Sequence, residues 1–118
     1  MNRNEFARTL AAGTYDLIVL DVLQDGPDYG YGIVQRIFKQ SNQTIRWHEG
    51  TLYPVLHRLE KRGLLTSAWQ AAPSLRTGRK TRRQRRYYRL TAHGQRIWRE
   101  QRDHWQSFSR GVNALLSV

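Results

Sequence analysis

After Gly63 the spacing of apolar residues changes, and that change limits the chain to a short set of folds. Before it, apolar residues recur at helical intervals. Tyr15, Ile18, Val19, Val22 and Leu23 lie at i, i+3, i+4, i+7 and i+8, which predicts a core helix. Thr14 suits its N-cap and Asp16 its first turn, and Asp25-Gly26-Pro27 stops it. A second helix opens at Asp28-Tyr29-Gly30-Tyr31-Gly32 and carries Ile33, Val34, Ile37 and Phe38 on one stripe. Gly30 and Gly32 lower helix propensity, so close packing against a neighbouring helix is expected there. Ser41-Asn42-Gln43 ends this helix, and Thr44 to Trp47 reads as a short extended stretch. Glu49-Gly50-Thr51 begins a third helix that runs to about Arg62 with Leu52, Val55, Leu56 and Leu59 inward. Pro54 belongs near its first turn, and Gly63 fits the C′ position that closes it. A weaker helical pattern, with Phe6 and Leu10 four apart, covers Asn2 to Leu10.

Beyond Gly63 the residues favour strands. Leu64 to Trp69 and Arg86 to Leu90 predict two short strands, joined by a basic loop of about a dozen residues that contains Pro73, Ser74 and Gly78. Thr91 then caps a last helix reaching about Leu116. Its apolar residues are Ile97, Trp98, Trp105, Phe108, Val112, Leu115 and Leu116, with alternating steps of four and three from Gln101 onward. Such a seam suits a partner helix. The expected fold is mainly α with a small β-hairpin: a winged helix-turn-helix over residues 1–91 and a long dimerisation helix over 92–118.

Composition narrows the chemistry. The chain has 118 residues and no cysteine, which removes disulfides, thiolate metal sites and a cysteine nucleophile. His48, His57, His93 and His104 show no i, i+4 pair, and no P-loop or dinucleotide fingerprint occurs, so neither a metal, a cofactor nor catalysis is expected. No run is long and apolar enough for a membrane helix, and a cytoplasmic, nucleoid-associated protein is expected. The net charge is +11. Arg76, Arg79, Lys80, Arg82, Arg83, Arg85, Arg86 and Arg89 supply eight positive charges within fourteen residues that include no acid, leaving +3 elsewhere. A concentrated basic patch on a nearly balanced body points to a polyanionic partner.

A helix fits the major groove of B-DNA, and a basic hairpin tip reaches the backbone or the minor groove beside it. The third helix is therefore the candidate reader of double-stranded DNA, presenting Thr51, Tyr53, Pro54, His57, Arg58 and Lys61. Arg58 suits bidentate contact with guanine. Arg79, Lys80, Arg82, Arg83, Arg85 and Arg86 are the candidate phosphate contacts of the hairpin, and Asp16, Asp21 and Asp25 read as a solvated acidic face turned away from DNA. The competing reading is a general nucleic-acid or protein-interaction module with an electrostatic loop. Readers of single strands expose aromatics beside their basic surface. In the sequence only Tyr87 and Tyr88 adjoin the patch, and strand alternation turns one of them inward.

The stretches Tyr29-Gly30-Tyr31-Gly32-Ile33, Glu49-Gly50-Thr51-Leu52-Tyr53-Pro54-Val55-Leu56, Arg58-Leu59-Glu60, Gly63-Leu64-Leu65 and Arg86-Tyr87-Tyr88-Arg89-Leu90-Thr91 resemble the PadR family of transcriptional regulators over about residues 11 to 116. The family often has His-Gly-Tyr where this chain has Tyr29-Gly30-Tyr31, and the Arg-rich wing also departs from its usual pattern. The resemblance implies a homodimeric repressor that binds an inverted repeat, with the single C-terminal helix of the smaller subclass. It also implies that Trp98, Trp105, Phe108, Val112 and Leu115 form the interface between copies. By the same resemblance Trp105 would line a pocket for a planar aromatic effector, sandwiched across the dyad.

Overall fold

The computed structural model describes residues 14–73 and 80–117. Among the described residues the order is α1 (Tyr15–Gln24), β1 (Asp28–Tyr29), α2 (Gly30–Gln40), α3 (Glu49–Lys61), β2 (Leu65–Pro73), β3 (Lys80–Leu90) and α4 (Ala92–Leu116). The helix expected over Asn2 to Leu10 lies outside the described residues. The remainder is a mostly helical fold with one small antiparallel sheet of order β1-β3-β2.

The core forms where the apolar stripes meet. Val19, Leu20, Val22 and Leu23 of α1 pack with Ile33 and Ile37 of α2, with Leu52, Val55, Leu56 and Leu59 of α3, and with Trp47, Leu64, Leu65 and Tyr88. Removing one such Leu or Ile side chain from water stabilises the fold by about 1.5–3 kcal/mol. Thr44 to Trp47 carries no strand; Trp47 instead turns its ring into the core beside Tyr15, with ring centroids 4.7 Å apart. Ile97 and Trp98 pack against the same cluster, so the first turns of α4 belong to the body of the fold.

Helix ends follow the local chemistry. Thr14 occupies the N-cap of α1, where its carbonyl accepts from the Ile18 N–H at 2.9 Å and its hydroxyl makes no capping bond. Gly63 closes α3 in a left-handed conformation, φ +77°. Its N–H donates to the Glu60 carbonyl at 3.0 Å and the Leu64 N–H to the Leu59 carbonyl at 2.9 Å, the paired bonds of a Schellman motif. Pro54 sits further in than expected, as the sixth residue of α3, so position 54 offers no N–H to the Gly50 carbonyl one turn back. Thr91 caps α4 through its side chain, which accepts from the Gly94 N–H at 3.0 Å. The same hydroxyl donates to the Gly63 carbonyl at 2.7 Å, and the Thr91 N–H donates to the Leu64 carbonyl at 3.1 Å. One residue thus ties the end of α3 to the start of α4.

The hairpin departs from expectation in length. β2 and β3 extend to Pro73 and Lys80, so much of what reads as a basic loop is paired strand. Trp69 faces Arg86, Gln70 faces Arg85 and Ala71 faces Gln84, with an irregularity between Ala71 and Pro73. β1 is a second difference: Asp28 and Tyr29 pair with Tyr88 and Tyr87 before the chain turns into α2. Pairing on both sides fixes β3 as the central strand.

Arg36 closes the turn between α1 and α2. Its guanidinium donates to the Val22 carbonyl at 2.5 Å and the Gly26 carbonyl at 3.3 Å, and pairs with the Asp28 carboxylate at 3.4 Å. The Val22 carbonyl is one of the acceptors that a helix end leaves without a backbone partner. Arg36→Ala is expected to lower the unfolding free energy by about 1–3 kcal/mol in chemical denaturation, with Arg36→Lys recovering only part.

Candidate nucleic-acid interface

With Leu52, Val55, Leu56 and Leu59 buried, α3 presents Tyr53, Pro54, His57, Arg58 and Lys61 to solvent and leaves Thr51 half-buried. The structure therefore brings five of the six reading-helix candidates onto one exposed arc, with Thr51 at its edge. That arc has two flanks.

On one flank stand Arg58 and Arg62. Both pair with the Asp16 carboxylate of α1: Arg58 with Oδ1, and Arg62 with Oδ2 at 3.1 Å. Asp16 is thus no part of an acidic face turned away from the reading helix; it holds two of that helix's arginines. Asp21 is exposed, and its Oδ1 accepts from the Trp98 indole N–H of α4 at 2.9 Å.

On the other flank lies the sheet. Glu60 accepts from the Arg86 guanidinium at 3.2 Å and from the Ser67 hydroxyl at 2.5 Å, while Arg86 Nε donates to Ser67 Oγ at 2.8 Å. This closed triangle joins α3, β2 and β3. Arg86 also lies over the Tyr88 and Trp69 rings, 5.7 and 5.9 Å from their centroids. Arg85 stacks on Tyr29 at 4.2 Å, and Tyr29 in turn meets Tyr87 at a centroid distance of 5.6 Å. Arg83 is exposed. Arg79 lies outside the described residues, and Lys80 and Arg82 are described by their backbone in β3 alone.

Between the two elements runs an open cleft of about 760 Å³, lined by Tyr31, Tyr53, His57, Trp69, Arg83 and Arg85 among others. Tyr53 crosses above Gly30 so closely that a Cβ there would sit 2.6 Å from its hydroxyl oxygen, which explains that glycine. A Cβ at Gly32 would instead meet the Asp28 carboxylate rather than a neighbouring helix. Tyr31 and Trp69 were missed from the sequence as candidates for this face. Trp69 is seven residues before the nearest basic residue in the chain, and only the hairpin register brings it opposite Arg86.

The C-terminal candidates divide. Trp98 is half-buried, bonded to Asp21 and covered by the Arg102 guanidinium at 4.6 Å, so it docks α4 onto α1. Trp105 is 45% exposed, and Phe108, Leu115 and Leu116 are more so; Val112 is half-buried. Trp105 also borders a smaller cleft of about 300 Å³ with Leu17, Ile18, Ile37, Arg102 and Gln106. Among the described residues no group of acids and histidines is arranged to hold a metal, and no helix is long and apolar enough to cross a membrane.

A helix–helix–helix–hairpin order, with a polar third helix and an arginine-lined strand on one side, defines a winged helix-turn-helix protein. A family model described as the transcriptional regulator PadR-like family matches residues 19–100, and the chain belongs to that family. It is a regulator and not an enzyme. The chain is similar to a PadR family transcriptional regulator from Eggerthella lenta, at 34% identity and a TM-score of 0.71 over 96% of this chain and 90% of that one. It is also similar to a transcriptional regulator from Clostridium thermocellum, at 27% identity and a TM-score of 0.75 over 90% and 93%. An uncharacterized protein of Lysinibacillus sphaericus is 32% identical over 104 residues, 88% of this chain and 89% of that one.

Two phenols resist ionisation, Tyr53 at the cleft and Tyr88 in the core behind it. Burial raises the Tyr53 pKa above its usual 10.0, and the Glu49 carboxylate adds to the rise. Burial also raises that of Tyr88; Arg86 opposes the shift, while Glu60 and Tyr53 reinforce it. The native state therefore keeps these protons longer than the unfolded chain does, so stability is full below pH 10 and declines as pH rises beyond it. Ultraviolet titration of phenolate is expected to show two late-ionising tyrosines, and Glu49→Gln to move one of them to lower pH.

Proposed function

We propose that the protein is a homodimeric repressor of the cytoplasm and nucleoid that reads an inverted repeat in double-stranded DNA. The observation that carries this reading is the single face formed by the outer arc of α3 and the arginines of β3. In this reading Thr51, Tyr53, Pro54, His57, Arg58 and Lys61 meet the major groove, while Arg83, Arg85 and the other wing cations follow the phosphates. Arg86 serves DNA indirectly, by holding the wing against α3. Residues 1–91 form the reading unit and 92–118 the pairing helix.

The pairing role rests on the far half of α4. Phe108, Leu115 and Leu116 leave a large apolar stripe in water on a monomer, and Leu115 is 85% exposed. A second α4 laid along the seam covers that stripe and sets two reading helices about 34 Å apart, one turn of DNA. The cleft beside Trp105 then lies next to the dyad, where a planar aromatic effector stacks on the indole and releases the operator.

Asp16 sets how Arg58 is aimed. A carboxylate bonded to a guanidinium restricts its rotamers and shapes which base edge it meets. Arg58→Ala is expected to relax base preference at one position per half-site by about 1–3 kcal/mol in competition binding with selected duplexes. Asp16→Asn is expected to strengthen binding to unrelated duplexes while narrowing the gap to the operator, with a stability change below about 1 kcal/mol. If Arg58→Ala left both affinity and preference intact, Arg58 would not be a reader. Sedimentation of Leu115→Asp is expected to show a monomer, and a dimer of unchanged affinity would refute the seam.

A further inference from the structure

We propose that the cleft between α3 and the wing binds a segment of single-stranded nucleic acid, with bases stacked on Tyr31, Tyr53 and Trp69 and phosphates on Arg83 and Arg85. The sequence places few aromatics beside the basic strand; the fold gathers them. Trp69 is 64% exposed and Tyr31 54%, on two different elements that face one open space of about 760 Å³. Leaving such rings in water forgoes the free energy that their burial supplies.

A duplex does not use the ring faces of Tyr31 and Trp69. Its bases are stacked inside the helix, and it offers a protein phosphates and groove edges. A single strand offers base faces and phosphates together, and the cleft sets exposed rings and arginines around one space. Tyr29 already has Arg85 on its ring at 4.2 Å and Tyr87 beside it, whereas Tyr31, Tyr53 and Trp69 stay exposed, Trp69 with Arg86 at the longer distance of 5.9 Å from its centroid. The Tyr53 hydroxyl, a donor at neutral pH like any phenol, borders the same cleft. Glu49 supplies a carboxylate at the same cleft, an acceptor for the exocyclic amine of a base. The cleft is open to solvent rather than enclosed, which admits a strand that enters and leaves it.

The test uses the full chain and a fluorescein-labelled oligo-dT of about fifteen nucleotides, beside oligo-rU, an abasic oligomer of equal length and a duplex, all at one salt concentration. Both base-bearing strands are expected to bind more tightly than the abasic one, and the tighter of the two identifies DNA or RNA as the source. Trp69→Ala and Tyr31→Ala are each expected to weaken strand binding about tenfold, and duplex binding by a clearly smaller factor. Trp69→Phe is expected to restore most of the loss, because it keeps a stacking face. Equal affinity for the abasic oligomer would overturn the proposal, since charge alone would then explain binding. Equal losses for strand and duplex in both alanine variants would also overturn it, by assigning the rings to the duplex.

Discussion

The angle between α3 and the wing depends on one half-exposed ion pair, Arg86 with Glu60, closed into a triangle by the Ser67 hydroxyl. A two-stranded hairpin is marginal by itself and adopts many orientations about its base. The triangle removes that freedom near the base of the hairpin, where β3 leaves the core at Tyr88. Its members come from three elements, so each is anchored independently before the bond forms. That lowers the entropy lost on pairing, the term that makes isolated surface ion pairs weak. The strand beyond then extends from a fixed origin, and its arginines reach the same side as the outer arc of α3.

Acids are scarce in this chain, yet the reading helix carries Glu49 and Glu60 and is met by Asp16 of α1. Asp16 takes Arg58 and Arg62, Glu60 takes Arg86, and Glu49 lies in the cleft beside Tyr53. An excess of +11 attracts any polyanion at long range. Close in, the paired carboxylates decide which cations are oriented and which directions they point. The positive field brings a partner to the face; the few negative charges give the face its shape.

Most of the helical fold was legible from spacing alone. The stripes of α1, α2 and α3, the capping hydroxyl of Thr91 and the closing turn at Gly63 all follow from local chemistry, and each stands where periodicity put it. The sheet was less legible. Residues 80–86 are almost all basic, so they show none of the in–out alternation by which a strand declares itself, and only pairing with β2 holds them extended. β1 has two residues, too few for any periodic signal. Pair contacts were hidden for a different reason. Arg58 and Asp16 lie 42 positions apart, and Trp98 and Asp21 lie 77 apart, so no local pattern connects them. Arg58 could be chosen as a reader from its place on the helix, but its partner could not.

Thr91 is the joint between the two longest arms of the fold's surface. Its hydroxyl and N–H hold the last carbonyls behind α3, and its next residue starts α4. With 25 residues α4 is about 37 Å long, and α3, with 13, about 20 Å. Ile97 and Trp98 fasten the first turns of α4 to the core, and the Trp98 indole is bonded to Asp21, so the joint at Thr91 is stiff. The projecting half of α4 therefore keeps the bearing that α3 sets, and any surface on one helix holds a fixed offset from any surface on the other.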